Sequence, residues 1–236
     1  MPTPICLDSL DSIPADLSNQ LKNYRAAFQK SPCLETVLQD ANIREIANEL
    51  ESHLKQQCIL GYHCTREPFT GFYKARGLRL TDVRQHQTEF LGSFGDRFSS
   101  IEITQIEEAW LNYFERENKR NDREDQIWAC LTRPNPPHDG TESFFQYFGG
   151  EIIFIPLMKM PVILDKLTKI GCPVVVEIEL RADELHINGS MSHAVLSRYH
   201  RTIRPDAYLS ESEACFRKSV PPSKIIRVIP LDQFQS

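Results

Sequence analysis

In the segment ETVLQDANIREIANELESHLKQ, apolar side chains return at Val37, Ile43, Ile46, Leu50 and Leu54, with charges between them. That spacing gathers them on one helical face, so roughly the first 50 residues are expected to form a helical layer. The pattern then changes. CILGYHCT (58–65) is short, apolar and bounded by turn residues, which predicts a strand. A helix is expected over 72–76, stopped by Gly77. In SSIEITQIEEAWLNYFERENKRNDRED, the residues Ile103, Ile106, Trp110 and Phe114 make one stripe behind acidic first turns, and Ser100 is the expected N-cap. Its mixed-charge tail reads as a solvated surface.

IWACL (127–131) predicts a second strand, followed by the loop TRPNPPHDG. TESFFQYF then reads as a short helix ended by Gly149-Gly150, EIIFIPL as a strand, and PVVVEIEL as a strong strand. HINGS carries an Asn-Gly turn signal, and ACFRKSVPPSKIIRVIPL gives two strands joined at Pro-Pro. Helices come first and a strand-rich body with scattered helices follows, which predicts the α+β class.

Composition narrows the function classes. At 236 residues and 27.2 kDa the chain fits one domain with at most a small appendage. A net charge of -5 argues against holding nucleic acid by overall charge, although a local basic stripe is compatible with it. No apolar run approaches the roughly 18 residues of a spanning helix, and MPTPICLDSLDS lacks a basic start and an apolar core. A cytoplasmic protein without membrane contact is the expectation. The 7 cysteines include no CxxC pair and fall mostly in apolar runs, where free cysteine acts as a small hydrophobe. Cys58, His63 and Cys64 lack zinc-ligand spacing, so no metal is expected.

Phosphate-binding glycine loops, a nucleophile elbow and a zincin helix are all missing from the sequence. The Glu177-Ile178-Glu179 pair is similar to a nuclease metal strand, but it lacks a following lysine and a clear upstream aspartate, and a strand with one wet face explains it more cheaply. The segment SESEACF is more informative. Glu211 and Glu213, two apart, project to the same side of an extended chain. Both facing water at a strand's start is the plain reading. Burial would demand compensating donors or a function, because close like charges repel.

The wider pattern around this pair resembles the ADP-ribosyltransferase fold. A glutamate opens a short apolar strand and leads through Val220-Pro221 to an isoleucine-rich strand. At the other end, His63-Cys64-Thr65 precedes YKARGLRL, with Gly77-Leu78, as in the histidine-containing branch. PVVVEIEL and the Asn-Gly turn look like the middle strands of DNA-modifying toxins and RNA 2′-phosphotransferases. The E-x-E form is similar to the arginine-modifying branch, whose Ser-Thr-Ser motif has no counterpart here. The resemblance spans roughly residues 58–231. It implies split mixed or antiparallel sheets with helices in a catalytic domain over 57–236. An N-terminal helical layer over 1–56 precedes that domain, and an added helical stretch at about 82–126 decorates it.

The resemblance further implies NAD as substrate and transfer of ADP-ribose to a macromolecular acceptor, whether DNA, RNA or protein. A bacterial toxin or anti-phage effector is the implied setting, with an antitoxin or other regulatory partner. Glu213 would be the catalytic carboxylate, Glu211 the general base, and His63 the residue orienting the nicotinamide-side ribose. Cys64 and Thr65 would lie at the same end of the cofactor, with Tyr147 or Tyr73 stacking on nicotinamide. Arg66, Arg76 and Arg79 are candidates for the pyrophosphate, Arg66 and Arg79 ahead of Arg76. The competing readings are a non-catalytic binding module of the same fold, a metal-dependent nuclease using Glu177 and Glu179, and an RNA 2′-phosphotransferase.

Overall fold

The computed structural model describes residues 3–135 and 140–234. Four helices come first: α1 (Ala15–Lys22), α2 (Arg25–Lys30), α3 (Leu34–Val37) and α4 (Ala41–Leu54). Next are β1 (Cys58–Glu67), α5 (Phe72–Arg76), α6 (Val83–Phe94), α7 (Ser100–Leu111) and β2 (Ile127–Cys130). They are followed by α8 (Glu142–Gln146), α9 (Gly150–Phe154), α10 (Pro161–Thr168), β3 (Cys172–Arg181) and β4 (His186–Asn188). The chain closes with α11 (Met191–Ile203), β5 (Glu213–Phe216), β6 (Ile225–Pro230) and α12 (Leu231–Phe234).

Among the described residues the strands form one six-stranded sheet in the order β4-β5-β2-β1-β3-β6. The pairs β1–β2 and β4–β5 are antiparallel. Helices and antiparallel strands without regular alternation make this an α+β protein. No helix among the described residues is long and apolar enough to cross a membrane.

Backbone packing divides the chain into two compact units. The first comprises Met1–Tyr62, Trp128–Arg133 and Ile178–Phe216; the second comprises His63–Ile127, Pro134–Glu177 and Arg217–Ser236. In the first, α4 starts where the Asp40 carboxylate caps the amides of Asn42 and Ile43. Its buried residues Ile43, Ile46, Ala47, Leu50 and Leu54 follow helical spacing, and the helix packs on α1 and α11. Each such fully buried Ile or Leu contributes about 1.5–3 kcal/mol through removal of its surface from water.

The core of the second unit gathers Phe90, Phe98, Ile106, Trp110 and Phe114 from the inserted helices with Ile153, Phe154 and Leu167. The expected helix is present, but Ser99 rather than Ser100 is its N-cap, in a reciprocal capping box with Glu102. The insertion begins and ends at one point. The Asp125 amide donates to the Thr81 carbonyl at 2.8 Å, and the Thr81 hydroxyl donates to the Gln126 carbonyl at 2.8 Å.

Several expectations are corrected. EIIFIPL is not a strand: it forms α9 and a 3-10 turn over Ile155–Leu157, with Ile152, Ile153, Phe154 and Leu157 buried. An apolar run this short does not distinguish a buried strand from a buried helix by its period. Pro156, moreover, has no N–H to give a ladder. The helix α8 stops at Gln146, one residue short of Tyr147, which is extended. β5 and β6 do not pair with each other, because β2, β1 and β3 lie between them in the sheet order. The helix α11 was not expected from the sequence, since its inner face includes Ser192, Ser197 and His200. Of the loop TRPNPPHDG, residues 136–139 lie outside the described residues.

Candidate functional site

In the first unit, Glu213 is the first residue of β5 and stands opposite Asn188, the last residue of β4. Their side chains meet: Asn188 Nδ2 donates to Glu213 Oε1 at 2.7 Å. Glu211 and Glu213 are exposed while Ser212 between them is buried, so the two acids share one side of the chain, as their spacing predicts. The chain turns out of β4 at Gly189, whose φ of 92° is a left-handed conformation. A Cβ there would come within 3.3 Å of the Glu211 carbonyl oxygen.

The segment before β5 is gripped at Ser210. Its amide donates to Ser197 Oγ at 3.0 Å, and its carbonyl accepts from Arg198 Nη1 at 3.1 Å, both residues on α11. Arg198 is itself fixed by Asp8, whose Oδ1 lies 2.7 Å from Nη2 and 3.1 Å from Nε. The other oxygen of Asp8 accepts the Arg133 amide at 2.7 Å. Thus a carboxylate from the N-terminal segment, a guanidinium from α11 and the chain just past β2 together fix the approach to Glu213. The backbone adds register: Leu131 donates to the Ser212 carbonyl at 2.7 Å, and Cys130 stands opposite Tyr62.

In the second unit, His63 and Thr65 are half-buried on β1, with Cys64 and Arg66 buried between and beyond them. Thr65 Oγ1 and the Tyr73 hydroxyl are 3.1 Å apart, and that hydroxyl also lies 3.4 Å from the Arg66 carbonyl. The Tyr73 amide donates to Glu67 Oε1 at 3.3 Å. Desolvation pushes the Tyr73 phenol up to about 12, so it stays protonated as a donor. Tyr73 therefore pins α5 to the end of β1.

The arginines are engaged within the unit. Arg66 Nη1 donates to the Phe145 carbonyl at 2.6 Å and Nε to that of Ile170 at 2.8 Å. Nη2 reaches the carbonyls of Thr168 and Gly171, each at 2.7 Å. The guanidinium thus closes the C-terminal end of α10 rather than offering a phosphate fork. Burial lowers its pKa. Arg79 pairs through both terminal nitrogens with the Glu89 carboxylate. That hydrogen bonding raises the arginine and holds Glu89 below its ordinary value. Arg76 lies over the Phe72 ring, 5.0 Å from its centroid. The Tyr147 ring packs at 5.6 Å from that of Phe154, inside the apolar cluster.

Glu177 is buried and accepts from Arg227 Nε at 2.7 Å and Nη2 at 2.9 Å. Among the described residues no group of three His, Cys, Asp or Glu side chains is arranged to hold a metal ion. An open cleft of about 460 Å³ in the first unit is lined by Glu51, Lys55, Asp183, Ile187 and Gly189, none of them a residue singled out from the sequence. Asn188, Arg198 and Asp8 escaped sequence reasoning as well. Asn188 carried a signal, the Asn-Gly pair, but as a turn rather than as the partner of an acid.

No family model, no curated protein and no solved structure matches this chain.

Chemically, the first unit presents a solvent-facing carboxylate at the mouth of a strand, oriented by a neutral amide. Such a group can accept a hydrogen bond from a hydroxyl or stand against developing positive charge. The second unit presents an imidazole and a threonine on one strand, with a tyrosine hydroxyl against the threonine.

Proposed function

We propose that the protein is an NAD-dependent ADP-ribosyltransferase acting on a macromolecular acceptor. The observation that carries this reading is the Glu213 carboxylate, exposed at the first position of β5 and oriented by Asn188 at 2.7 Å. One further relationship supports it. Leu78, beside Gly77, exchanges both backbone hydrogen bonds with Val220 at 2.9 and 2.8 Å, joining two segments that carried the resemblance.

In the reaction, the bond between the ribose C1′ and the nicotinamide nitrogen breaks, and its electron pair leaves with nicotinamide. Positive charge grows on the sugar ring. Glu213, accepting from the 2′-hydroxyl, stabilises that charge more than it stabilises the ground state, which is what accelerates the step. His63 orients the same ribose, and Thr65 supports that end of the cofactor. The acceptor's nucleophilic atom then bonds to C1′, and its proton passes to Glu211. DNA, RNA and protein side chains all remain within this chemistry, and a toxin or anti-phage effector is the setting it suits.

One specific observation favours a second reading, a binding module of the same fold without turnover. Arg66 and Arg79, the leading candidates for the pyrophosphate, are committed to carbonyls and to Glu89. The nuclease reading is disfavoured because Arg227 occupies the Glu177 carboxylate. The decisive experiment follows nicotinamide release from NAD, with nucleic-acid and protein acceptors supplied. Release by the parent and a drop of about 10²–10³ in Glu213→Gln support the transferase. NAD binding without release selects the module, and release at the parental rate in Glu213→Gln removes Glu213 from the chemistry.

A further inference from the structure

The transferase reading assigns Glu213 a task but does not say what aims it. A carboxylate at the start of a strand and open to water has freely rotating χ angles, and each rotamer carries its oxygens to a different place. Catalysis by a fixed charge needs the opposite, a group already pointed where charge will appear.

We infer that Asn188 is the positioning residue of Glu213, resting on the transferase reading above. Three observations carry this. The two residues are register partners in an antiparallel pair, so their side chains lie side by side on one face of the sheet. The hydrogen bond itself runs from Nδ2 to Oε1 at 2.7 Å. And the backbone at both partners is held from elsewhere. Asn188 is followed by Gly189 in a left-handed conformation and by Ser190, which caps α11 through the His193 amide. Glu213 follows a segment fixed at Ser210 by Arg198 and Ser197, and at Ser212 by Leu131.

The choice of residue type has a chemical reason. An asparagine donates without adding charge, so it fixes one carboxylate oxygen while leaving the negative charge to act on the sugar. A lysine or arginine in its place would neutralise that charge. An aspartate has the same shape but no N–H, and would repel the acid it faces. With Oε1 tied to β4, the second oxygen is the one left to accept from a ligand hydroxyl.

Two variants test this, Asn188→Ala and the isosteric Asn188→Asp, each checked for parental folding by far-ultraviolet circular dichroism and thermal melting. Nicotinamide release is measured as kcat and KM for NAD. For a positioning role, both variants lose about tenfold in kcat while KM stays within about twofold, because the contact to the carboxylate matters most as charge develops. In a Glu213→Gln background, Asn188→Ala causes no further loss, since the group it aims is gone. If the parent is active and both variants keep kcat within about twofold, the positioning role is overturned and the transferase reading stands. A tenfold loss that persists in the Glu213→Gln background also overturns it, because Asn188 then acts through something else. A parent that releases no nicotinamide overturns the transferase reading and the role with it.

Discussion

The guanidinium of Arg66 lies 2.7 Å from the carbonyl oxygen of Gly171, and the same group satisfies the carbonyls of Phe145, Thr168 and Ile170. A buried arginine facing four carbonyl oxygens is an architectural element. Thr168 is the last residue of α10, Ile170 and Gly171 follow it and Phe145 belongs to α8, and β1 delivers a five-donor fork to meet all four carbonyls. Arg66→Ala leaves those carbonyls unmet in a dry environment and is expected to destabilise the protein by about 3 kcal/mol. Arg66→Lys, with fewer donors and no planar fork, is expected to lose about 1–2 kcal/mol. Urea denaturation of both variants checks this; parental stability in Arg66→Ala would show that the fork is dispensable.

Gly77 terminates α5 with φ of 72°, and a Cβ there would sit 2.0 Å from the Val220 carbonyl oxygen. Backbone, not a movable side chain, occupies the space. Gly77→Ala is therefore expected to cost about 2 kcal/mol or more, through both the clash and the left-handed conformation. The reciprocal hydrogen bonds between Leu78 and Val220 should be the first to open, seen as faster amide exchange at these two positions.

Asp8 and Arg198 are about 23% and 15% exposed at their side chains, so their pairing is only partly screened by water. Asp8→Ala and Arg198→Ala are each expected to lose about 1–2 kcal/mol, and the double variant less than the sum of the two, because the ion pair is common to both while the Asp8–Arg133 and Arg198–Ser210 contacts are separate. Since Arg198 holds the Ser210 carbonyl, each single variant should also lower any NAD turnover. Additive losses in thermal or chemical unfolding would show that the pair is not coupled.

His86 reaches the Gly149 carbonyl through Nε2 at 3.1 Å, and a carbonyl only accepts, so the proton sits on Nε2. Burial is the largest influence and lowers the imidazole below its ordinary 6.5, against the opposing effects of the Gly149 hydrogen bond and of Glu89, with Arg79 lowering it further. The unfolded chain thus takes up the proton first as pH falls. This contribution to stability is complete above about pH 6.5 and declines from there toward the lowered folded value. His86→Gln, which keeps an amide donor but does not titrate, is expected to flatten stability against pH in that window. Equal slopes in parent and variant would remove His86 as the cause.

Some of this architecture was legible before any coordinates. Ile43 to Leu54 show one apolar face, residues 58–65 and PVVVEIEL are apolar and rich in strand formers, and all three became the elements their pattern predicts, although Val37 ends the separate helix α3 rather than joining that face. Glu211 and Glu213 came out on one exposed side because the two-residue period of extended chain is local. Where the local signal was ambiguous, the reading failed. In residues 152–157 the apolar run is short and unbroken by polar residues, with Ile152, Ile153, Phe154 and Leu157 buried, so no period was available to reveal a helix. In α11 the buried hydroxyl of Ser197 and the buried imidazole of His200 interrupted an otherwise apolar face; Nε2 of that imidazole meets the Phe28 carbonyl at 2.7 Å, while its buried Nδ1 has no hydrogen-bond partner among the described residues.

By itself, then, the order of residues determined the helix α4, the strands β1 and β3 and the turn at Asn188-Gly189, where apolar spacing, strand-forming residues or turn chemistry act locally. Tertiary structure alone decided the strand order, the commitment of Arg66 to four carbonyls, and the meeting of Asn188 with Glu213. Those relationships join residues 25 to 105 positions apart. They depend on register and on which backbone groups end up without partners, quantities that no short window of sequence contains.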